Sequence, residues 1–571
     1  MKISLTLVVV AIFAVISSGC CAPLERGNKS DTSPKGRTTK PATAQKDVPE
    51  PEPSDTYLSY LVLFKDSENR PWETILANMG FGAAVKENKH PKRGPLASRA
   101  LDQGDSRYFT TPDGRQLHAF GGGEGTMKVL KINMTLPEVE RIKLLEYVEF
   151  VEENKRIPVF EPSPEDNPGV KPSPGLIRPA TVPYINAPGF ECRRRGFDGR
   201  NLPIIEQCGA PWGLYRISSY EPPVFTSSAS EQASLSYTYK FREGAGVGVD
   251  IYILDTSLNE NHPDFEGRAR LLWIPTDVDD NPDMALHGFV LSTSQLRIPP
   301  KHSFENPNFC LQIARTMLAN IITWTLYRTH VAGIAASRTF GVAKGAMVYG
   351  VAVIMGDDIL DEDIYGGGNA ILRHHRGRRG GPGFAGSIVN ISAGVDEGWP
   401  AIEIMVGRFL REGIHVAVSA GNRNKDACGA SPAGMSRIFP VITTGAIAFD
   451  DQRHPRTSWG RCVDVYAPGT NIASLSSTSN TVPAVLSGTS MAVPHVVGVM
   501  AAELTFRPEF KFDPSGLKRF ILDRAIKGGV KLKRSKEDEK VVGGRLLLNN
   551  ASPGPPVQIS PARSFLPDGG F

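Results

Sequence analysis

The chain has 571 residues and a formal net charge of only +4, with 22% charged side chains. That balance supplies no global field for a nucleic-acid partner, and the length allows about two to four domains with a large buried core. Beyond the N-terminus no stretch reaches about 18 apolar residues without a charge, so no membrane span is expected.

Met1-Lys2 precedes an apolar run from Ile3 to Ile16 and the small residues Ser17 to Ala22. This is the pattern of a secretory signal over 1–22, and it implies a secreted protein, with the vacuole as the alternative. Residues 23–55 are rich in Lys, Thr, Pro, Ser and Glu, nearly without large apolar side chains, and are expected to be disordered. Residues 57–64 read as a strand and 72–79 as a short helix, with an extra loop over 85–106. A glycine turn at Gly121-Gly122-Gly123 separates two further apolar runs. Residues 136–145 read as a helix with Leu136, Val139, Ile142 and Leu145 on one face, and 147–153 close with strand-like alternation. Residues 56–160 are therefore a small α+β domain. Residues 161–209 are proline-rich and strand-poor, a linker and processing zone. Over 210–550 strands alternate with helical stretches, the signature of a parallel α/β sheet, and 551–571 form a flexible tail.

Ser487-Gly488-Thr489-Ser490-Met491-Ala492-Val493-Pro494 is the most informative string in the chain. It puts a serine among small neighbours on a tight turn, opening into an apolar helix from His495, with a helix N-terminus to favour negative charge. The segment resembles the nucleophile motif of the subtilisin-like serine proteases (peptidase S8), and the resemblance makes Ser490 the nucleophile. It implies an α/β, parallel-sheet catalytic domain, and residues 56–160 resemble the inhibitory propeptide (inhibitor I9 type) that precedes it. Ala210-Pro211-Trp212-Gly213-Leu214 resembles the mature start in fungal members. Ser431-Pro432-Ala433 points to the proteinase K and cerevisin-like branch.

Residues 247–254 form an apolar strand ending at Asp255, the place where α/β proteins set their ligand sites. The resemblance makes Asp255 the residue that orients the catalytic imidazole, although Ser257 stands where the family has glycine. Val389-Asn390-Ile391-Ser392-Ala393-Gly394 resembles the family's substrate-pairing edge and assigns Ser392, Ala393 and Gly394 to substrate binding. Val416 to Asn422 resembles the element carrying the side-chain oxyanion donor, here Asn422.

The histidine motif is broken. The family pattern is His-Gly-Thr-His-Val-Ala-Gly. This chain has Thr329-His330-Val331-Ala332-Gly333, with Tyr327 at the base position and Arg328 at the glycine. Tyrosine, with a pKa of about 10, is no base near neutrality. His330 matches the second histidine of the motif, about 60° round a helix from the base. His287-Gly288 stands 32 positions after Asp255, and deleting the 40 residues 289–328 joins it to Thr329, restoring the whole motif. Splice signals fit the joint if Gly288 is encoded GGG and Arg328 AGG. Residues 289–328 are thus read as a retained intron, the competing reading being a genuine surface insertion.

The expected activity is a secreted endopeptidase with the triad Asp255, His287 and Ser490, its own propeptide as inhibitor, protein or peptide substrates, and a monomeric state. Neither a nucleic acid nor a membrane is an expected partner. The alternative is a catalytically impaired homologue, because 289–328 interrupt the histidine motif. A protease specific for basic residues would need more acid than Asp396, so broad specificity is expected. No cofactor is required for the chemistry. Structural calcium is a family habit, but Ala448 stands at an expected aspartate position with Asp450 and Asp451 displaced beyond it, so no metal ligand is assigned. His374-His375-Arg376-Gly377-Arg378-Arg379 lack helical apolar spacing and read as a solvated loop. Asn28, Asn133 and Asn550 head glycosylation sequons, while the Asn390 sequon falls in a strand expected to be buried. Cys428 and Cys462 are candidates for pairing, which spacing alone does not decide.

Overall fold

A computed structural model describes residues 57–81, 86–88, 101, 106–123, 125–158, 194–198, 201–224, 234–255, 258–275, 329–355, 358–477, 479–532 and 545–550. The signal segment 1–22, residues 23–55, Asn28, most of the 161–209 linker, His287, residues 289–328 and the tail 551–571 lie outside the described residues.

The N-terminal unit runs β1 (Leu58–Phe64), α1 (Trp72–Leu76), β2 (Lys86–Asn88), β3 (Arg107–Thr110), β4 (Gln116–Phe120), β5 (Val129–Met134), α2 (Leu136–Lys143) and β6 (Val148–Glu153). Its antiparallel sheet has the order β2-β3-β4-β5-β1-β6. Strand alternation gives β1 two apolar faces. Tyr60, Val62 and Phe64 pack on Trp72, Ile75, Val139 and Ile142, whereas Leu61 and Leu63 join the core of the following domain. A capping box starts α2: the Thr135 backbone N–H donates to Glu138 Oε2 at 2.9 Å. Because that cap fixes the start, Leu136 falls in the first turn and is 50% exposed, so the buried face is Val139 and Ile142. Within the expected loop over 85–106, Lys86–Asn88 pairs with β3 as a strand.

After β7 (Arg156–Pro158), β8 (Arg194–Phe197) and β9 (Pro203–Ala210) precede α3 (Trp212–Ile217) and β10 (Tyr237–Arg242). β9 is the middle strand of a β10-β9-β8 antiparallel sheet. The strand-poor expectation for 161–209 fails at β8 and β9, because β9 is held by non-local pairing with β10 that no short window of sequence reveals.

The large domain follows as β11 (Val249–Asp255), β12 (Ala269–Trp273), β13 (Met347–Ala352), β14 (Ile354–Met355), β15 (Asp358–Leu360), α4 (Asp361–Arg379), β16 (Gly386–Ile391), α5 (Pro400–Arg411), β17 (His415–Ser419), β18 (Val441–Ile447), β19 (Val465–Pro468), β20 (Ile472–Ser474), β21 (Ala484–Leu486), α6 (Thr489–Phe506) and α7 (Pro514–Arg524). A seven-stranded parallel sheet of order β12-β13-β11-β16-β17-β18-β19 forms its centre, so the domain has the α/β architecture expected. Ile251, Ile253, Ile388 and Ala417 face α6. Tyr252, Leu254, Val389, Ile391, Val416 and Val418 face α4 and α5. Burial on both faces explains why these strands are apolar without a break. α6 is 18 residues long and apolar all round, but it lies buried in this core.

Three sequence expectations change here. Residues 374–379 are no loop but the last turns of α4, and His375 is fully buried with its Nδ1 2.9 Å from Ser387 Oγ. Tertiary contacts override weak propensity. A side chain at Gly367 would meet Val351 at 2.7 Å and one at Gly368 would meet Met405 at 2.1 Å, so these glycines let α4 approach the sheet and α5. The basic end is anchored by Arg378 on the buried Asp250 and by Arg376 on Glu412. Second, α6 begins at Thr489, so Ser490 lies in its first turn and not on a turn before His495. Third, Asn550 is buried with its Nδ2 donating to Lys240 O at 2.7 Å, which removes it as a glycan acceptor. Asn133 is exposed on β5 and Asn390 is buried, both as expected.

The buried ion pair of α3 ties it to the far side of the domain: Arg216 Nε and Nη2 reach Asp451 at 2.7 and 3.2 Å. Removing one partner strands the other as an uncompensated buried charge. Arg216→Ala is expected to cost about 3–5 kcal/mol in denaturant unfolding, and Arg411→Ala on α5 less than about 0.5 kcal/mol.

Candidate active site

Four segments converge at the carboxyl edge of the parallel sheet. Asp255 ends β11, Ser392 to Gly394 follow β16, Asn422 follows β17, and Ser490 opens α6. Parallel strands end there with backbone groups not consumed by the ladder, which is why ligands bind at this edge.

Gly488 precedes α6 with φ 146°, and its N–H donates to Gly469 O at 2.7 Å. A side chain at Gly488 would be strained in that conformation, and the turn it permits delivers Ser490 to the edge. Ser490 is 5% exposed. Its Oγ donates to Ser392 O at 3.1 Å, while Ser392 Oγ accepts from Asn390 Nδ2 at 2.9 Å. Asn422 is also buried, and its Oδ1 accepts from the Thr489 backbone N–H at 2.9 Å and from Thr489 Oγ1 at 3.0 Å. The carbonyl end of the Asn422 amide is thus tied back to the residue that precedes Ser490. Thr489 and Asn390 are functional candidates that motif reading missed. The signal for Thr489 was its adjacency to Ser490; for Asn390 there was only its two-residue spacing from Ser392.

A shallow pocket opens beside these residues, lined by Gly394, Val395, Ala420, Asn422, Ala430 and Ser431, among others. Val395 and Ser431 close its walls with two backbone hydrogen bonds of 2.9 Å. Gly394 must be glycine, since a Cβ would stand 2.8 Å from Ser431 O. Cys428 and Cys462 are disulfide-bonded, which fixes the loop after Asn422. Ala393 is buried, and Asp396 pairs with Lys425 and, at 3.5 Å, with Arg423. The Asp396 carboxylate, next to the lining residue Val395, is thereby neutralised.

Two buried histidines are neutral core residues. His330 directs Nε2 at Ile472 O, 2.9 Å away, and burial pushes its pKa down to about 4. His495 keeps Nδ1 2.9 Å from Met491 O, and burial likewise lowers it to about 4. Among the described residues no imidazole bonds to Ser490. His330 is therefore not arranged as its base, and His287 lies outside the described residues. Asp451 is spent on Arg216, Asp450 Oδ1 accepts from Gln452 N at 3.1 Å, and no group of three or more His, Cys, Asp or Glu side chains gathers among the described residues. These groups do not fit a calcium site at Ala448 to Asp451.

This edge sets a serine at a helix start, with a buried amide held to the preceding residue and a pocket of small residues near it. Residues 246–545 match the subtilase family, and the chain belongs to that family. It is 33% identical over 329 residues to subtilisin-like protease 3 of Saccharomyces cerevisiae, covering 56% of this chain and 58% of that protein. Cerevisin of the same yeast is 35% identical over 305 residues, covering 53% and 40%. Alkaline protease 2 of Aspergillus fumigatus is 32% identical over 345 residues, covering 57% and 58%. The chain thus spans about half the length of the curated relatives it matches. A solved cold-adapted subtilisin-like serine proteinase aligns with 60% of this chain and 98% of its own, at 25% identity and a TM-score of 0.43.

The 34-residue separation of Cys428 and Cys462 sets the stabilisation expected from chain entropy. Replacing both with alanine is expected to cost about 3–4 kcal/mol in unfolding by denaturant under oxidising conditions.

Proposed function

We propose that this chain is the precursor of a secreted or vacuolar serine endopeptidase. Ser490 Oγ attacks the scissile carbonyl and passes its proton to His287, while Asp255 holds that imidazole in the required tautomer. The tetrahedral oxyanion is received by the Asn422 NH2 and by the Ser490 backbone N–H. The proton then goes to the leaving amine, and water repeats the sequence on the acyl-enzyme, with no cofactor consumed. Loss of the side-chain oxyanion donor costs about 2.7–4 kcal/mol in subtilisin, a value measured on that enzyme. The Thr489 clamp on Asn422 is the observation that carries this reading, because it fixes the carbonyl end of a buried amide at the start of the helix that bears Ser490. Thr489→Val is expected to lower kcat more than it raises KM, by about tenfold or more. An unchanged kcat would show that the Thr489 hydroxyl does not orient the amide, and an unchanged kcat in Asn422→Ala would remove Asn422 from the mechanism.

The N-terminal unit acts as the intramolecular inhibitor. β7 pairs antiparallel with β15, itself paired with β14, just beyond the main sheet. Its strand thereby lies along an edge that an extended peptide substrate would use. The maturation cut is expected C-terminal to Pro158, which N-terminal sequencing of the processed enzyme would locate. With Asp396 neutralised, the cavity suits uncharged side chains and broad specificity. Substrates are proteins or peptides, the enzyme works as a monomer, and neither a nucleic acid nor a membrane is engaged.

A second reading has its own observation. Ser490 Oγ donates to Ser392 O, and the 40 residues 289–328 separate His287 from Thr329. If that segment persists in the mature message, the protein is an impaired homologue that binds peptides and cleaves them poorly. Sequencing the transcript across Asp255 to Ser337 separates the two. A message joining Gly288 to Thr329 is expected to yield an active protease that His287→Ala silences. Retention of all 40 codons with no peptidase activity would establish the impaired form.

A further inference from the structure

The N-terminal unit docks through a face that is unusually acidic on both sides. α4 opens with Asp361, Glu362 and Asp363, all buried against it. Glu152 of β6 meets them, accepting a hydrogen bond at Oε1 from the Tyr365 hydroxyl. The surrounding groups are accounted for element by element. On α4, Asp361 accepts from Trp399 Nε1 at 2.7 Å and from the Lys155 backbone N–H at 3.2 Å, and Glu362 pairs with Lys131 of β5 at 2.6 Å. On β6, Glu149 pairs with Arg408 of α5 at 2.9 Å, and Arg408 also holds Asp66. On β1, the partner of Glu152 is the uncharged Leu61. Lys155 is a cation whose charge opposes the rise of Glu152. Lys131 and Arg408 are spent on other acids, Arg156 of β7 stands opposite Leu360, and Arg376 of α4 is paired with Glu412. Glu152 is thus a shielded carboxyl, with one hydroxyl donor and an acid neighbour, on the strand that leads into β7.

We propose that Glu152, set beside the buried acids that open α4, is a proton-operated latch that holds the N-terminal unit on the substrate edge in acidic surroundings and loosens it in neutral to alkaline ones. Protonated Glu152 costs nothing beside Asp361. Ionised Glu152 must be desolvated next to a second carboxylate, and the docked state bears that cost while the undocked state does not. Burial pushes Glu152 up to about 7 against the Tyr365 hydroxyl bond, which favours the ionised carboxylate, and the charge of Asp361 adds to the rise; burial also raises Asp361. Since the docked pKa is the raised one, the contribution of Glu152 is fully present below its ordinary range near 4.5 and is lost as pH rises through about 7. The latch itself follows from the docked geometry. Its consequence for activity rests on the inhibitory role proposed above, and it would delay unmasking until the precursor leaves an acidic compartment.

The test reads docking, not hydrolysis. In the full chain carrying Ser490→Ala, hydrogen–deuterium exchange of the β7 and β15 amides is measured at pH 5.5 and 8.5, with times scaled for intrinsic exchange. Protection is expected to fall at least about tenfold at the higher pH. Glu152→Gln, which keeps the acceptor for Tyr365 without the charge, is expected to stay protected at both. The exposed neighbour change Glu153→Gln should behave as the parent does, and the β1 and β5 amides report that each variant is folded. Parallel loss of protection in the parent and in Glu152→Gln, or no loss in either, overturns the latch. Absence of peptidase activity from the unmodified chain would count against the proposed function and leave the latch standing.

Discussion

Everything at the candidate site depends on the burial of a parallel sheet from both sides. Successive residues of β11, β16 and β17 point alternately toward α6 and toward α4 and α5. A one-residue slip in any of them would exchange the two cores, so register is strongly fixed. With register fixed, the strand ends are fixed, and with them Asp255, Ser392 and Asn422. α6 must be apolar around its circumference to fill its side of this sheet. The serine that it delivers inherits a rigid, dry position as a consequence of core packing.

The two faces of the sheet serve different purposes through similar means. On one, the start of α6 brings Thr489 and Ser490 to Asn422. On the other, the start of α4 presents three acids and Tyr365 to the N-terminal unit. A helix start carries positive partial charge and favours acids nearby, which explains why Asp361 to Asp363 are tolerated there. Met127 supports the same docking, its backbone N–H donating to Asn369 Oδ1 and its carbonyl accepting from Asn369 Nδ2, both at 2.8 Å. Leu61, Leu63, Phe120 and Val129 bury their side chains in the α4–α5 core. The docked unit therefore completes the hydrophobic layer on this face, and polar groups at its border tune how firmly it stays.

What was legible in the sequence follows from how local each cause is. The apolar strands around Asp255, Asn390 and Val418 announce themselves because burial on both faces removes every polar residue from a short run. Ser490 is legible because a tight glycine turn into an apolar helix admits few residues. The end of α4 was illegible: three consecutive glycines and a basic tail argue against a helix until Val351, Met405, Asp250 and Glu412 are known to lie opposite them. β8 and β9 were missed for a related reason, since pairing across sequence distance leaves little local trace. The role of Thr489 lies in the orientation of an amide, which composition cannot encode.

The histidine question turns on the same distinction between local and tertiary causes. His330 occupies a conserved-looking string, yet its ring is committed to Ile472 O and its own carbonyl accepts from Ser474 Oγ at 2.9 Å. Burial keeps it neutral, so its place in the string is a packing requirement of the helix over 329–336. Under the proposed function the base for Ser490 is His287, from the sequence that precedes that helix. Only His287 has a sequence neighbour, Gly288, that continues into Thr329 without altering a residue of the string. The 40 residues between them contribute nothing to the string on either side. Under that proposal the catalytic competence of the chain reduces to whether those residues are present when the helix forms.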